Sequence, residues 1–295
     1  MSITPFQALA CPLDGEPLAL TGSVWRCAAG HSFDIAKQGY VNLLPVQHKR
    51  SHDPGDSKAM VAARQRFLGA GYYQPIADAV SDAVFSHAGS QHPTNEPLSC
   101  LDAGCGEGYY LRQLANYAGQ LANAAPHSLP LSLIGLDISK WAVLAAAKQD
   151  DKQAPIGNWV VGSNAHLPVQ PATLDSVLCM FGFPVYSEFA RVLKTGGMLL
   201  QVEAGAGHLR ELREIIYPTL KAERSSERQA PEGFTHQRTE AFNYPLALNG
   251  AEQIADLLAM TPHLYRASAE GRARAAALDE LTVTVDVRLV QWLRL

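Results

Sequence analysis

The stretch LDAGCGEGYY, residues 101–110, constrains the fold more than any other part of the chain. A short apolar run ends at Asp102, glycines follow at 104, 106 and 108, and a helical pattern starts at once in YYLRQLANYA. A strand that breaks on glycine and re-enters as a helix is the first βα unit of a parallel sheet. Glycines at such a turn let the backbone approach a ligand and leave the first helical N–H groups open to it. The spacing is G-x-G-x-G; a dinucleotide fingerprint would need its third glycine at 109, where Tyr stands. A turn that needs only positive φ, with no ligand, is the alternative reading.

The same signature returns in LSLIGLDISKWAVLAAAK, where Asp137 at the strand end is placed to grip a ribose through its two hydroxyls. NWVVGSNAHLP, LDSVLCMFGFP and GGMLLQVEA add three strands, and SEFARVLKTGG a helix closing on glycine. Alternation from Thr282 to Val287 marks a further strand near the end. Strands alternating with helices predict an α/β, doubly wound, mostly parallel sheet. Ahead of it, AMVAARQRFLGAGYYQPIADAVSDAVF reads as two helices meeting at Gly69 to Gly71, and residues 86–98 as a linker. Residues 119–132 read as a lengthened loop, and HLRELREIIYPTLKAERS as a helix up to Pro218.

Residues 1–36 differ in character: turn formers separate short apolar bits, as in a small β-rich module that needs a staple. CPLDGEPLALTGSVWRCAAGH supplies Cys11, Cys27 and His31 at the spacing of a structural zinc site, with Asp14 where a second thiolate is expected. Aspartate is a legitimate zinc ligand, although harder than thiolate and so weaker in such a set. The competing reading is a metal-free turn made by Asp14 with Gly15. The five cysteines are odd in number and scattered, as reduced thiols are. No apolar run is long enough to span a bilayer, so no membrane partner and a cytoplasmic location are expected.

Residues 98–205 resemble the class I S-adenosylmethionine-dependent methyltransferases, on LDAGCGEG, Asp137 and VLKTGGMLL in that order. FDIAKQGYVNLLPVQHKRSHDPGDS, FLGAGYYQPI, GHLRELREIIY and MTPHLYRA extend the resemblance, over almost the full length, to the 23S rRNA guanine-N1 methyltransferases. That family implies a zinc module at 1–36, a basic linker and helices at 37–97, and a Rossmann-like seven-stranded methyltransferase domain at 98–295. It implies S-adenosylmethionine and structural zinc as cofactors, and a hairpin of 23S rRNA as substrate. Cofactor contacts then map to Tyr73, to Asp102, Gly104, Gly106, Glu107 and Gly108 in the turn, to Asp137, and to His208. Asn164 and Ala165, with Ser163, lie where a loop flanks the adenine. Without the family, His208 reads as a helix-start residue.

The substrate side is drawn partly from the residues themselves. CMFGFP lacks the Asp/Asn-Pro-Pro-aromatic quartet of exocyclic amine methylation, and Cys179 is not placed as a nucleophile. Phe181 and Phe183 either stack a flipped base or pack in the core. His48, Lys49, Arg50, Lys58, Arg64 and Arg66 concentrate positive charge in a chain of formal net charge −4, as phosphate contacts or as a solvated face. Guanine N1 carries a proton that must leave, and Glu203 is the carboxylate expected to take it. A small-molecule methyltransferase and an inactive RNA-binding protein of this fold are the alternatives; a homodimer would suit an RNA clamp.

Overall fold

Three short strands, β1 (Ala19–Thr21), β2 (Val24–Arg26) and β3 (Ser32–Asp34), form an antiparallel sheet at the start of the chain. Phe6, Leu9, Leu18 and Trp25 are buried here with Cys11 and Cys27, in a cluster they share with residues of the main sheet. In this computed structural model the described residues are 2–48, 51–91, 96–124, 129–151, 153–220 and 229–295.

The chain then enters the main sheet earlier than the sequence suggests. β4 (Tyr40–Asn42) pairs in parallel with β7 (Asn158–Val161), setting Val41 opposite Val160. Its backbone pairs with the edge that β7 would otherwise leave open. The sheet therefore has eight strands. α1 (Lys58–Gly69) starts at the Ser57 cap and α2 (Gln74–Gln91) follows, meeting at Gly69–Gly71 as the spacing predicts.

The parallel core is β5 (Leu98–Ala103), β6 (Leu131–Asp137), β7, β8 (Leu174–Met180) and the first part of β9 (Leu193–Ala204). β5 is buried at every position, which is why it reads as a continuous apolar run. α3 (Tyr109–Ala124), α4 (Lys140–Gln149) and α5 (Tyr186–Val192) connect these strands. α3 runs into the segment expected as a loop from 119, because Leu114, Ala115, Ala118 and Leu121 keep helical spacing through it. α6 (Arg210–Ile216) is shorter than predicted at its start, and His208 lies before it.

The final unit was only half legible. β10 (Phe234–Asn249) and β11 (Glu280–Arg294) are long antiparallel partners, with α7 (Ala251–Ala259), α8 (His263–Arg266) and α9 (Ala269–Ala276) between them. β10 is an edge strand that includes Pro245 and is exposed along most of its length, so it shows little apolar alternation. The order β10-β11-β9-β8-β5-β6-β7-β4 brings the carboxyl ends of β5 and β6 together at the sheet centre. No helix among the described residues is long and apolar enough to cross a membrane.

Candidate active site and metal centre

Gly104, Gly106 and Gly108 all take positive φ, at 104°, 56° and 83°. They face different surroundings. A Cβ on Gly108 would stand 2.6 Å from the Trp159 ring, so that glycine is required by packing. A Cβ on Gly104 would meet nothing within 4 Å, so the turn is open there. Gly106 donates its N–H to Asp137 Oδ2 at 2.9 Å, and Ser139 N–H donates to Oδ1 at 2.8 Å. Asp137 is thus fixed by the turn and by the cap of α4.

Asp102 is wholly buried, and neither carboxylate oxygen has a partner among the described residues. Burial, then the charges of Asp137 and Glu107, push its carboxyl up to about 8. Asn164 donates to the Ala103 carbonyl at 3.2 Å while its buried Oδ1 has no partner. Unsatisfied buried acceptors are rare and costly, and here they sit beside the open face of the turn. Such acceptors fit a ligand rich in N–H and O–H donors, as the ammonium, ribose and adenine of S-adenosylmethionine are. Ala165 is exposed, and its N–H is taken by Ser163 Oγ. A cleft of about 440 Å³ opens next to Asp137, lined by Ile138, Lys140, Val161, Leu44 and the His52–Pro54 loop.

Glu107 is anchored from two helices. Its buried carboxylate is held by Arg112 and accepts from Gln149 Nε2 at 2.8 Å, so it ties the turn to α3 and α4. Arg64 is engaged within the fold. It pairs with Asp56 and donates to the Met260 carbonyl at 3.2 Å, with its guanidinium over Gly106. Ser139 Oγ donates to the Asp56 carbonyl at 2.6 Å and Trp141 Nε1 to Asp53 at 2.8 Å, so residues 53–57 strap across the cofactor end of β6. Sequence reasoning missed this strap because its partners are more than 80 residues away. Arg66 makes a two-point ion pair with Asp256 that docks α1 on α7. Lys58 is exposed; Lys49, Arg50 and the His48 side chain lie outside the described residues. Arg64 and Arg66 are thus both held in ion pairs within the fold, with the Arg66 side chain still half exposed.

On the other side of the turn, three rings meet. Tyr73 Oη lies 3.5 Å from His208 Nε2, and Phe181 stacks on the His208 ring with centroids 5.6 Å apart. Tyr73 and Phe181 centroids are 5.9 Å apart. Phe181 holds φ at +53°, a left-handed conformation rare for a bulky residue and common at functional loops. Phe183 is 85% exposed and Phe181 38%, which overturns the core-packing reading. Gly182 between them sits against Cys179 Sγ. Glu203, at the end of β9, is paired with Arg288 at 3.5 Å, and its charge reaches Cys179 beneath this loop.

The metal candidates converge. One ligand atom from each of Cys11, Asp14, Cys27 and His31 falls within 4.8 Å of the others. His31 Nδ1 lies 3.4 Å from each sulfur and 2.9 Å from Asp14 Oδ2, and Cys27 Sγ is 3.4 Å from that oxygen. Tetrahedral zinc bonds set ligand–ligand edges of about 3.3–3.6 Å, close to these values. Asp14 Oδ1 still accepts from the Glu16 N–H, so the Asp-Gly turn and the metal geometry coexist. Burial pushes the Cys11 thiol up to about 11, while hydrogen bonding, first to Cys11, holds Asp14 down at about 2.

A glycine turn, an acid at the end of the next strand and unsatisfied acceptors beside them, on a sheet of this order, define a class I methyltransferase that uses S-adenosylmethionine. A family model described as a methyltransferase domain matches residues 100–197, and a zinc-ribbon model described as RlmA, N-terminal, matches residues 9–52. YxjB of Bacillus subtilis (strain 168), provisionally named a 23S rRNA (guanine-N(1)-)-methyltransferase, is 32% identical, covering 97% of this chain and 96% of that one. A Micromonospora griseorubida protein with the same provisional name is 34% identical, over 96% of each chain. A Streptomyces fradiae protein named 23S rRNA (guanine(748)-N(1))-methyltransferase is 29% identical, over 94% of each. The chain belongs to the 23S rRNA (guanine-N1)-methyltransferase family.

Proposed function

We propose that this chain transfers a methyl group from S-adenosylmethionine to N1 of a guanine in a hairpin of 23S rRNA. The observation that carries the reading is the exposed Phe181–Phe183 loop beside the open face of the glycine turn. It gives a flat base a stacking surface next to the cofactor's methyl. The names of the full-length relatives supply the base and the atom. An inactive fold would not explain the orphaned acceptors of Asp102 and Asn164, and a small substrate would leave the zinc module without a purpose.

In this reading the cofactor supplies an electrophilic methyl on a sulfonium. Asp137 holds the ribose, Asp102 and Asn164 accept from the cofactor's donors, and Tyr73 with His208 walls the methyl side. Phe181 and Phe183 hold the guanine. N1 would gain the methyl as the sulfonium carbon–sulfur bond breaks to leave a neutral thioether, and Glu203 would take the proton that N1 gives up. Cys11, Asp14, Cys27 and His31 hold zinc in a structural role, since all four positions are filled by protein. Residues 1–36 form the zinc module; 37–97 dock on the catalytic unit (98–295) through β4 and carry Tyr73 to the site. The enzyme works with its RNA in the cytoplasm.

The test is methyl transfer from labelled S-adenosylmethionine to large-subunit rRNA lacking the modification, with the labelled base mapped. Label on one guanine, blocking its Watson–Crick edge to reverse transcriptase, is expected. Measurable cofactor binding with no transfer to this RNA would sink the assignment.

A further inference from the structure

We propose that Arg213 and Arg266, both beside the Tyr217–His263 pair, form a phosphate-binding surface that holds the RNA strand next to the target guanine. The inference rests on the rRNA reading and adds to it where the backbone binds.

Tyr217, just after α6, and His263, at the start of α8, are bonded Oη to Nδ1 at 2.8 Å, with ring centroids 5.6 Å apart. Burial first, then the guanidinium groups of Arg213 and Arg266, push the His263 imidazole below its ordinary range. The same two arginines act on Tyr217. Two cations thus converge on one neutral aromatic pair. Neither makes an ion pair with a carboxylate among the described residues. The nearby acids are otherwise engaged: Glu214 pairs with Arg210, and Glu211 accepts from Thr284.

Position ties this pair to the chemistry. Arg213 Nη1 donates to the Ala206 and His208 carbonyls at 2.8 and 3.2 Å, so it is anchored to the loop that carries His208. His208 in turn stacks on Phe181. The line from Phe181 through His208 and Arg213 to Arg266 leads from the base-stacking loop out to α8, where Tyr265 is 71% exposed. Arg272 and Arg274 back the same seam, donating to the Ala267 and Ile215 carbonyls. The 263–276 stretch has three arginines against one glutamate, in a chain that is acidic overall.

The partner's chemistry follows. Guanidinium groups bind phosphate oxygens at two points and stay charged at any working pH. A base turned out of its stack leaves flanking phosphates that must be held in register. Exposed aromatic rings interleaved with arginine suit single-stranded RNA better than a duplex. Arg64 and Arg66 are instead held by the carboxylates of Asp56 and Asp256.

The experiment measures binding of a labelled, unmodified large-subunit rRNA fragment to the full chain across a salt series, with S-adenosylmethionine affinity measured alongside. Arg266→Gln, an exposed change, and Arg213→Gln are each expected to weaken RNA binding several-fold. Each should also shallow the log–log salt slope by about 0.7–0.9, the loss of one phosphate contact. Cofactor affinity should stay within about twofold in Arg266→Gln. Arg66→Gln serves as a control whose slope stays at the wild-type value. A wild type that binds and methylates the RNA, with an Arg266→Gln slope unchanged, overturns the phosphate surface alone. A wild type that neither binds nor methylates it overturns the rRNA reading and this one together.

Discussion

Asp286 holds His208 with its backbone and the neighbouring loop with its side chain. The Asp286 N–H donates to His208 Nδ1 at 3.3 Å, while its carboxylate accepts from the Gly207 N–H at 2.8 Å. The Asp286 carbonyl also accepts from the Gly205 N–H at 2.8 Å, and a Cβ on Gly205 would stand 2.3 Å from the carboxylate. Since Nδ1 accepts, the neutral imidazole carries its hydrogen on Nε2, facing Tyr73. Burial is the main reason that this imidazole is pushed down to about 4, against the pull of the Asp286 charge.

Removing that carboxylate should loosen the loop without touching the turn. In Asp286→Ala the Gly207 N–H loses its partner, a cost of about 1–3 kcal/mol. We expect S-adenosylmethionine to bind about tenfold more weakly by calorimetry, with partial rescue in Asp286→Asn. Unchanged affinity in the alanine variant would mean that His208 does not need this support.

Asp102 makes stability depend on pH in a direction opposite to the usual carboxylate. Its folded value, about 8, lies above the unfolded one, so between about 4 and 8 the folded chain keeps a proton that the unfolded chain has lost. The sign follows: that contribution is present below about pH 4 and is lost as pH rises through about 8. Asp102→Asn removes the penalty. It should unfold at higher denaturant than wild type at pH 8, with a smaller gap at pH 5, when no cofactor is present. It should also bind S-adenosylmethionine more weakly. Equal midpoints at both pH values would show that Asp102 is ionised and partnered in the free enzyme.

What the sequence disclosed and what it withheld divide along physical lines. The parallel core was legible because buried strands such as LSCLDA and LSLIGLD are continuous apolar runs ended by glycine or an acid. The four zinc candidates were legible because spacing fixes them locally, and the structure brings their ligand atoms together. β10 was hidden because an edge strand exposed along most of its length carries little pattern. Side-chain destinations were hidden too. Nothing around Arg64 or Arg66 announces Asp56 above the glycine turn or Asp256 on α7, 190 residues on. Asp286 did leave a trace, as the single charge inside the alternating TVTVDV run.

The zinc site should report its substituted ligand. Asp14→Cys restores the softer donor and is expected to tighten zinc at least tenfold in competition with a chromogenic chelator. Asp14→Ala leaves three ligands and should weaken it by a similar factor. Because the Cys11 thiol starts near 11, metal binding must displace its proton, so affinity should rise steeply with pH from 6 to 8. An Asp14→Ala variant with wild-type affinity would remove the carboxylate from the ligand set.

Phe183 separates stacking from structure most cleanly, being almost fully exposed. Phe183→Ala should leave the melting temperature within about 1 °C, since surface changes of this kind alter stability by about 0.5 kcal/mol or less. Loss of one base stack of about 1–3 kcal/mol predicts a fall in kcat/KM for RNA of roughly ten- to hundredfold. S-adenosylmethionine affinity should not change. Phe181→Ala is expected to differ, because its ring also packs on His208 and Tyr73 and its loss should weaken the cofactor as well. Glu203→Gln gives the third pattern, a lower kcat with both affinities kept, as removal of a proton acceptor requires. If Phe183→Ala methylates RNA at the wild-type rate, the exposed loop is not where the guanine stacks, and the base must be held on the His208 side of the turn.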